Sequence, residues 1–303
     1  MSVFSRMVMA LTEAGPVERT ITGTRPGRAL AGRFVAGDTL DDGVAAAHRL
    51  NEQGFLVSLD LLGEECFDRA TAFAARDEYL QGLDRIGEES LRANISIKLT
   101  QLGLAFDDSL AIDLLDSLAE RAAALETTVT IDMEDSRYTE ATVGIYEKAQ
   151  SRHGNLGLAL QAYLHRTAAD LRRLMPLGGH IRLCKGAYVE EPDVALMSNA
   201  DIDNAFARLL DDLMKFEAVR PAIATHDGGL ISLTRELARK RTSSFEFQML
   251  YGVRTTLQRE LADAGYPVRV YLPFGSKWYP YLTRRLAERP SNAWFFIRSV
   301  FGS

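Results

Sequence analysis

The chain has 303 residues, 47% hydrophobic and 25% charged, which is typical of a globular protein and excludes a disordered, collagen-like or coiled-coil one. Thirty-five basic and forty-one acidic residues give a formal net charge of −6, so the basic excess of a nucleic-acid-binding protein is absent. Two cysteines, Cys66 and Cys184, are too few for a disulfide framework or a four-thiolate zinc site, which favours a reducing cytoplasm. No apolar run reaches the ~18 residues of a spanning helix, and the first residues do not resemble a signal peptide.

Residues 1–50 are predicted to form an N-terminal helical segment, followed by a second domain over residues 51–303. Within the first segment, Thr39 precedes two acidic residues and an apolar stretch, which is the pattern of a capped helix start. Gly54 stands where the end of that helix is expected.

From residue 55 onward, short apolar runs alternate with longer amphipathic segments such as residues 107–125 and 202–216. Eight strands are predicted, over residues 55–60, 95–98, 129–132, 158–161, 180–185, 222–226, 245–250 and 268–271. Strand–helix alternation predicts a parallel sheet with right-handed crossovers. Eight such units fit an α/β fold of the closed (β/α)8 TIM-barrel type behind the N-terminal helices. An open doubly wound sheet is the alternative.

Each predicted strand carries a polar residue at or near its end: Asp60, Lys98, Asp132, Gln161, Arg182, His226, Gln248 and Tyr271. Barrel enzymes carry their active sites at the carboxyl ends of the strands, so these side chains are predicted to form one polar cup. A buried charge is costly unless it is paired. The cations and anions of this set therefore suit an anionic ligand. The alternative for any single member is a side chain that reaches water or caps the next helix.

After the last strand, a helix is predicted over residues 278–290, with Pro280 in its first turn. Arg284 and Glu288 are four residues apart and share a face, which by itself is typical of a solvated surface pair. The alternative is that Arg284 and Arg285 clamp a carboxylate, because the arginine fork matches that group bidentately.

Several motifs are absent from the sequence. It contains neither a G-x-G-x-x-G fingerprint after a strand nor a P-loop, so Rossmann-type or P-loop nucleotide binding is not supported. The five histidines are scattered, and no metal centre is predicted. Cys184 shares a strand face with Arg182 and is predicted to be a small, buried apolar residue.

The order of the motifs resembles the proline dehydrogenase family. The matching segments are LGE (62–64), SIKL (96–99), IDMED (131–135), QAY (161–163), RLCKGAY (182–188), ATH (224–226), FEFQMLYG (245–252) and YLTRRLAERP (281–290). The resemblance runs from about residue 35 to the C-terminus, and residues 1–34 match no motif. It is to the short, monofunctional bacterial form, because the chain leaves no room for the aldehyde dehydrogenase that some members carry behind the barrel.

The resemblance implies an FAD-containing (β/α)8 barrel that oxidises L-proline to Δ1-pyrroline-5-carboxylate, the first step of proline catabolism, and passes the electrons to a quinone. It implies a cytoplasmic protein, with peripheral contact at the inner face of the cell membrane as a further expectation. Other readings are a hydroxyproline oxidase, another flavin barrel enzyme such as a methylenetetrahydrofolate reductase, or a non-catalytic barrel that holds an anion. The sequence identifies no general base and does not indicate the oligomeric state.

The resemblance also implies roles for individual residues. Asp132 and Arg182 would be catalytic, with Arg182 beside the reactive nitrogen of the flavin, and Asp132 would hold Lys98. Proline would be bound by Lys98, Tyr188, Leu250, Tyr271, Arg284 and Arg285. Glu64, paired with Arg284, and Glu288 would form a gate. FAD would be bound by Met133, Gln161, Arg182, Lys185, Gly186, Ala187, Thr225 and His226.

Overall fold

The computed structural model describes residues 24–63 and 65–287. Among the described residues, two helices, α1 (Arg25–Ala31) and α2 (Leu40–Glu52), precede the first strand. Thr39 caps α2 as the sequence predicts: its hydroxyl accepts a hydrogen bond from the Asp42 amide at 3.2 Å, and the Asp42 carboxylate accepts one from the Thr39 amide at 3.0 Å. Gly54 follows the end of α2 with a φ of +93°, a conformation that favours glycine.

Eight parallel strands close into a barrel in the order of the sequence. They are β1 (Leu56–Leu61), β2 (Ala93–Ile97), β3 (Val129–Ile131), β4 (Leu156–Gln161), β5 (Gly179–Cys184), β6 (Val219–Ala224), β7 (Glu246–Leu250) and β8 (Val268–Phe274). Pairing of β1 with β8 closes the sheet, with Ser58 in register with Tyr271. The predicted TIM-type barrel is confirmed, and the open doubly wound sheet is wrong.

Helices surround the barrel and connect successive strands. They are α3 (Arg69–Glu88), α4 (Asp108–Ala124), α5 (Ser136–His153), α6 (Thr167–Leu174), α7 (Asn199–Lys215), α8 (Gly228–Ala238), α9 (Thr255–Asp263) and α10 (Tyr279–Ala287). Short 3-10 turns cover Leu99–Leu102 and Met175–Leu177. None of these described helices is both long and apolar enough to cross a membrane.

Two strand boundaries differ from the predicted ones in a way that bears on the polar cup. Strand β8 runs to Phe274, whose carbonyl still accepts a hydrogen bond from the Leu62 amide at 2.8 Å. Tyr271 therefore lies inside β8 and not at its end. Strand β6 ends at Ala224, so His226 lies two residues beyond it.

The strands alternate between an apolar outer face and a polar inner face. Residues such as Leu59, Ile97 and Phe247 point outwards and are fully buried in the layer beneath the helices. Their neighbours point into the barrel, where Asp60 and Gln248 are buried polar residues. A polar barrel interior is expensive unless its groups pair. The pairing inside the barrel therefore decides the geometry of the site.

Candidate active site

The carboxyl end of the barrel holds a cluster of oppositely charged side chains. The Lys98 ammonium, directly after β2, lies 2.7 Å from Oδ1 of Asp60 on β1. It also lies 3.6 Å from Oδ2 of Asp132, directly after β3. Asp60 is 1% exposed, so its charge has no access to water and depends on Lys98 for compensation.

Asp132 is the centre of this cluster. Nη1 of Arg182 on β5 donates to its Oδ1, and the Tyr271 hydroxyl donates to its Oδ2 at 2.6 Å. The Arg182 guanidinium also lies over the Tyr271 ring, 5.1 Å from the ring centroid. One carboxylate thus joins three side chains that the sequence analysis assigned to substrate binding or catalysis.

The rest of the Arg182 guanidinium is held by Gln248, a predicted member of the polar cup, and by two serines that the sequence analysis did not include in the site. Nε donates to Oε1 of Gln248 at 2.5 Å, and Nη2 donates to the Ser96 hydroxyl at 2.9 Å and the Ser58 hydroxyl at 3.4 Å. A signal for the serines exists in the sequence, because each lies two positions before a predicted cup residue and alternation places both on the same strand face.

The charges of the cluster have fixed signs at neutral pH. Burial alone would lower the pKa of the Lys98 ammonium, but the Asp60 and Asp132 carboxylates outweigh it and raise that pKa above its ordinary value. Burial and the neighbouring Asp132 carboxylate raise the pKa of Tyr271 well above the ordinary phenol value. Lys98 therefore remains a cation and Tyr271 a neutral hydrogen-bond donor, and neither is ready to accept a proton.

A second group of predicted residues lies at the ends of β4 and β5. Oε1 of Gln161 accepts a hydrogen bond from the Ala187 amide at 2.9 Å, and its Nε2 donates to the Glu134 carbonyl at 2.9 Å. Gly186 has a φ of +140°, and a Cβ built on it would lie 2.4 Å from the Tyr163 ring, so no larger residue fits. Gln161 and Gly186 together fix the path of the loop after β5.

This loop can hold an anionic group. Gly186 and Ala187 are exposed and carry little side-chain bulk, so a ligand can approach their backbone closely. The adjacent Lys185 ammonium lies 2.5 Å from Oδ1 of Asp203 and 3.1 Å from Oδ2 of Asp227. Once the ammonium leaves one of these carboxylates, a cation beside this open stretch of backbone would suit the phosphates of a nucleotide cofactor.

The remaining predicted residues surround the same end of the barrel. Nε2 of His226 accepts a hydrogen bond from the Leu250 amide at 3.1 Å, so this nitrogen carries no hydrogen. The Thr225 hydroxyl accepts from the Asp227 amide at 3.1 Å. Met133 is buried in the core after β3, and Tyr188 is half-buried after β5.

The side chains of the predicted gate and clamp lie outside the part of the chain that the structure describes. Glu64 and Glu288 lie outside the described residues, as do the side chains of Arg284 and Arg285 on α10. Just before Glu64, a Cβ built on Gly63 would lie 2.1 Å from Nε2 of Gln101, so the loop after β1 passes directly against the 3-10 turn that follows Lys98. Within the described part of the chain, no three His, Cys, Asp or Glu residues are grouped to hold a metal ion.

Comparison with known proteins gives consistent results. The family described as proline dehydrogenase matches residues 44–298. Proline dehydrogenase 1 of Bacillus subtilis (strain 168) is 40% identical over 281 residues, which cover 92% of both chains. Proline dehydrogenase of Deinococcus radiodurans is 34% identical over 279 residues, covering 89% of this chain and 90% of the relative.

Solved structures share the fold. The crystal structure of proline utilization A (PutA) from Bdellovibrio bacteriovorus, inactivated by N-propargylglycine, matches with a TM-score of 0.82 at 20% identity. The match covers 91% of this chain but only 34% of that protein, so this chain spans about a third of its length. At this identity the likeness establishes the barrel fold alone.

Proposed function

The chain belongs to the proline dehydrogenase family, and from this premise we propose that it oxidises L-proline to Δ1-pyrroline-5-carboxylate with FAD as its cofactor. The observation that carries the proposal is the paired set of Lys98, Asp132, Arg182 and Tyr271 at the carboxyl end of the barrel. It offers fixed cations to a carboxylate and an aromatic wall to a small ring compound that carries one. FAD fits the exposed backbone at Gly186 and the cation of Lys185.

Different side chains bind the carboxylate and the ring of the substrate. Lys98, Arg284 and Arg285 hold the proline carboxylate, and Tyr188, Leu250 and Tyr271 enclose the pyrrolidine ring. FAD, when bound, would supply the acceptor for the hydride of the ring carbon next to nitrogen. Arg182 provides positive charge on the flavin side, where negative charge develops during the reaction.

Asp132 orients both sides of the reaction. Its carboxylate accepts hydrogen bonds from Arg182 and Tyr271 and forms an ion pair with Lys98. One carboxylate therefore sets the positions of a cation for the flavin and a cation for the substrate. With Lys98 protonated and Tyr271 neutral, we assign the proton of the substrate amine to water and not to either side chain.

The remaining assignments rest on the family resemblance. Met133, Gln161, Thr225 and His226 join Arg182, Lys185, Gly186 and Ala187 in holding FAD. Glu64 pairs with Arg284, and with Glu288 it forms the gate. A quinone takes the electrons, and the protein is cytoplasmic with peripheral contact at the inner face of the cell membrane. Residues 1–50 form a helical segment and residues 51–303 the catalytic domain.

Anaerobic reduction tests the proposed reaction. The purified protein should be yellow, and mixing it with L-proline in the absence of oxygen should bleach the flavin absorbance. Bleaching by dithionite but not by L-proline would contradict the substrate, and a colourless protein that takes up no added FAD would contradict the cofactor and favour a non-catalytic barrel.

Replacing Arg285 with Met tests the carboxylate clamp. The substitution keeps bulk but removes the fork, and a hydrogen bond to a charged group contributes about 1.5–3 kcal/mol. We expect the KM for L-proline to rise at least about tenfold, the equivalent of 1.4 kcal/mol, with FAD still bound. The same exchange at the exposed Arg208 of α7 is the control. An unchanged KM in R285M would contradict the assignment of Arg285 to the carboxylate clamp.

Replacing Tyr271 with Ser tests ring selectivity. The Tyr271 hydroxyl is committed to Asp132, so a hydroxyl on the substrate ring would meet the aromatic face without a partner. Burying it unpaired costs about 1–3 kcal/mol, which predicts a roughly ten- to hundredfold preference for proline over hydroxyproline. In Y271S, kcat/KM for proline should fall and the gap to hydroxyproline should narrow. Equal losses for both substrates would mean that Tyr271 only packs the barrel mouth.

A further inference from the structure

Arg182 depends on a neutral side chain for its orientation inside the barrel. The acceptor for its Nε is Oε1 of Gln248, 2.5 Å away on β7. A side-chain amide has an accepting end and a donating end of nearly identical shape. If the Gln248 amide were turned over, its NH2 group would face the Nε–H of Arg182, and the two donors would repel. The orientation of the Gln248 amide therefore decides whether Arg182 can occupy its place.

Glu246 fixes the orientation of the Gln248 amide. It lies two residues before Gln248 on β7, on the same inward face, and its Oε1 accepts a hydrogen bond from Nε2 of Gln248 at 2.6 Å. An ionised carboxylate can only accept. It therefore selects the donating end of the amide and leaves Oε1 of Gln248 directed at Arg182.

Glu246 is ionised although it is 4% exposed. Arg269 on β8 grips it with two hydrogen bonds, Nε to Oε1 at 2.7 Å and Nη2 to Oε2 at 3.1 Å. Burial would raise the pKa of the Glu246 carboxyl, but Arg269 and the nearby His180 outweigh it and hold that pKa well below its ordinary value. The Arg269 cation thus pairs with the Glu246 anion, and the Arg182 cation pairs with the Asp132 anion. The neutral Gln248 amide connects the two pairs.

We propose that Glu246 and Gln248 are positioning residues that set the orientation of Arg182 and, through it, the reduction potential of the flavin. The proposal rests on the assignment of Arg182 to the flavin side of the proposed function. The proposed function assigns neither residue to the binding of proline. Their loss should therefore affect the electron transfer step more than the binding of proline.

The Glu246→Gln variant tests the pair, because it removes the charge and keeps the shape. We expect kcat to fall about tenfold with little change in KM. The midpoint potential, titrated with dithionite and reference dyes, should become more negative by about 30 mV, the equivalent of a tenfold change for a two-electron couple. Glu236→Gln on the exposed side of α8 makes the same chemical change and should leave both quantities at the parent values.

A second variant covers the case in which Glu246→Gln does not fold. Gln248→Met removes the amide but leaves the Glu246–Arg269 pair intact, and it should shift the midpoint potential in the same direction. A parent potential in either folded, FAD-loaded variant would overturn the proposal. The titration uses no proline, so failure of the parent to be bleached by L-proline would count against the proposed substrate and not against the positioning pair.

A double-mutant cycle gives a readout without the cofactor. Glu246→Gln and Arg182→Lys are combined, and the unfolding equilibrium of the apoprotein is measured for each single and double variant. If Gln248 connects the two sites, the unfolding constant of the double variant should depart about tenfold from the product of the single effects. The departure should vanish when the cycle is repeated with Gln248→Met. Strict additivity in the first cycle would show that Glu246 does not act on Arg182.

Discussion

Replacing Arg182 with Met is expected to slow reduction of the flavin by L-proline by a factor of about 10² or more, the usual loss when a group that stabilises developing charge is removed. Arg182 is the buried cation of the cup, and Asp132, Gln248 and Ser96 hold it in one orientation. Under the proposed function, negative charge that develops on the bound flavin would lose its compensation in this variant. Rapid mixing of the FAD-loaded variant with L-proline under anaerobic conditions measures the rate.

The midpoint potential of R182M should also become more negative than that of the parent. Arg208→Met, the same exchange on the exposed surface of α7, should change neither the rate nor the potential. A parent potential combined with a slow rate would place Arg182 on the substrate side of the cup. If the reduction rate and the midpoint potential both equal the parent values, Arg182 takes no part in the reaction.

Replacing Asp132 with Asn should damage both folding and activity. The carboxylate receives Arg182 and Tyr271 and lies 3.6 Å from the Lys98 ammonium. An amide of the same shape has no charge and presents its NH2 group to one of these donors. Breaking such a buried pair typically costs 3–5 kcal/mol, and since one accepting oxygen remains we expect the free energy of unfolding to fall by about 3 kcal/mol.

The activity of D132N should fall together with its stability, because Lys98 and Arg182 lose the carboxylate that holds both of them in position. We expect kcat/KM for L-proline to fall by about 10² or more, since misplaced reacting groups lose rates of this size. Asp212→Asn on the exposed face of α7 is the matched control for urea unfolding and for kinetics. If D132N is destabilised but keeps the parent kcat/KM for L-proline, the role of Asp132 is structural only.

The alternation of strands and helices sufficed to predict the barrel. Apolar runs such as residues 129–132 and 158–161 match β3 and β4 closely, because a strand covered by helices needs a continuous apolar outer face. The start of α2 was also predictable, since Thr39 accepts a hydrogen bond from the first turn as a cap. The end of β8 at Phe274 was not predictable from the sequence, because a proline such as Pro273 usually ends a strand. In the structure, the hydrogen bonds between β8 and the chain after β1 continue to Phe274.

The candidate site was predictable in its membership but not in its connections. The polar residues near the strand ends indicated which side chains meet, and Lys98, Asp132, Arg182 and Tyr271 do lie together. The sequence did not indicate that the Tyr271 hydroxyl would be committed to Asp132. Nor did it indicate that Gln161 would join the Glu134 and Ala187 backbones, because such bonds depend on loop paths.

The eight-stranded barrel, the polar residues near the strand ends and the family were predictable from the sequence, because all three depend on local period and on the order of short motifs. Which charges pair with each other was not predictable, because it depends on the closed barrel. Arg182 finds Gln248 sixty-six positions away and Ser96 eighty-six positions away, across strands whose register is set by the closure of the whole sheet. A buried charge must take the partner that this register presents, because a side chain such as Asp60 is almost completely removed from bulk solvent.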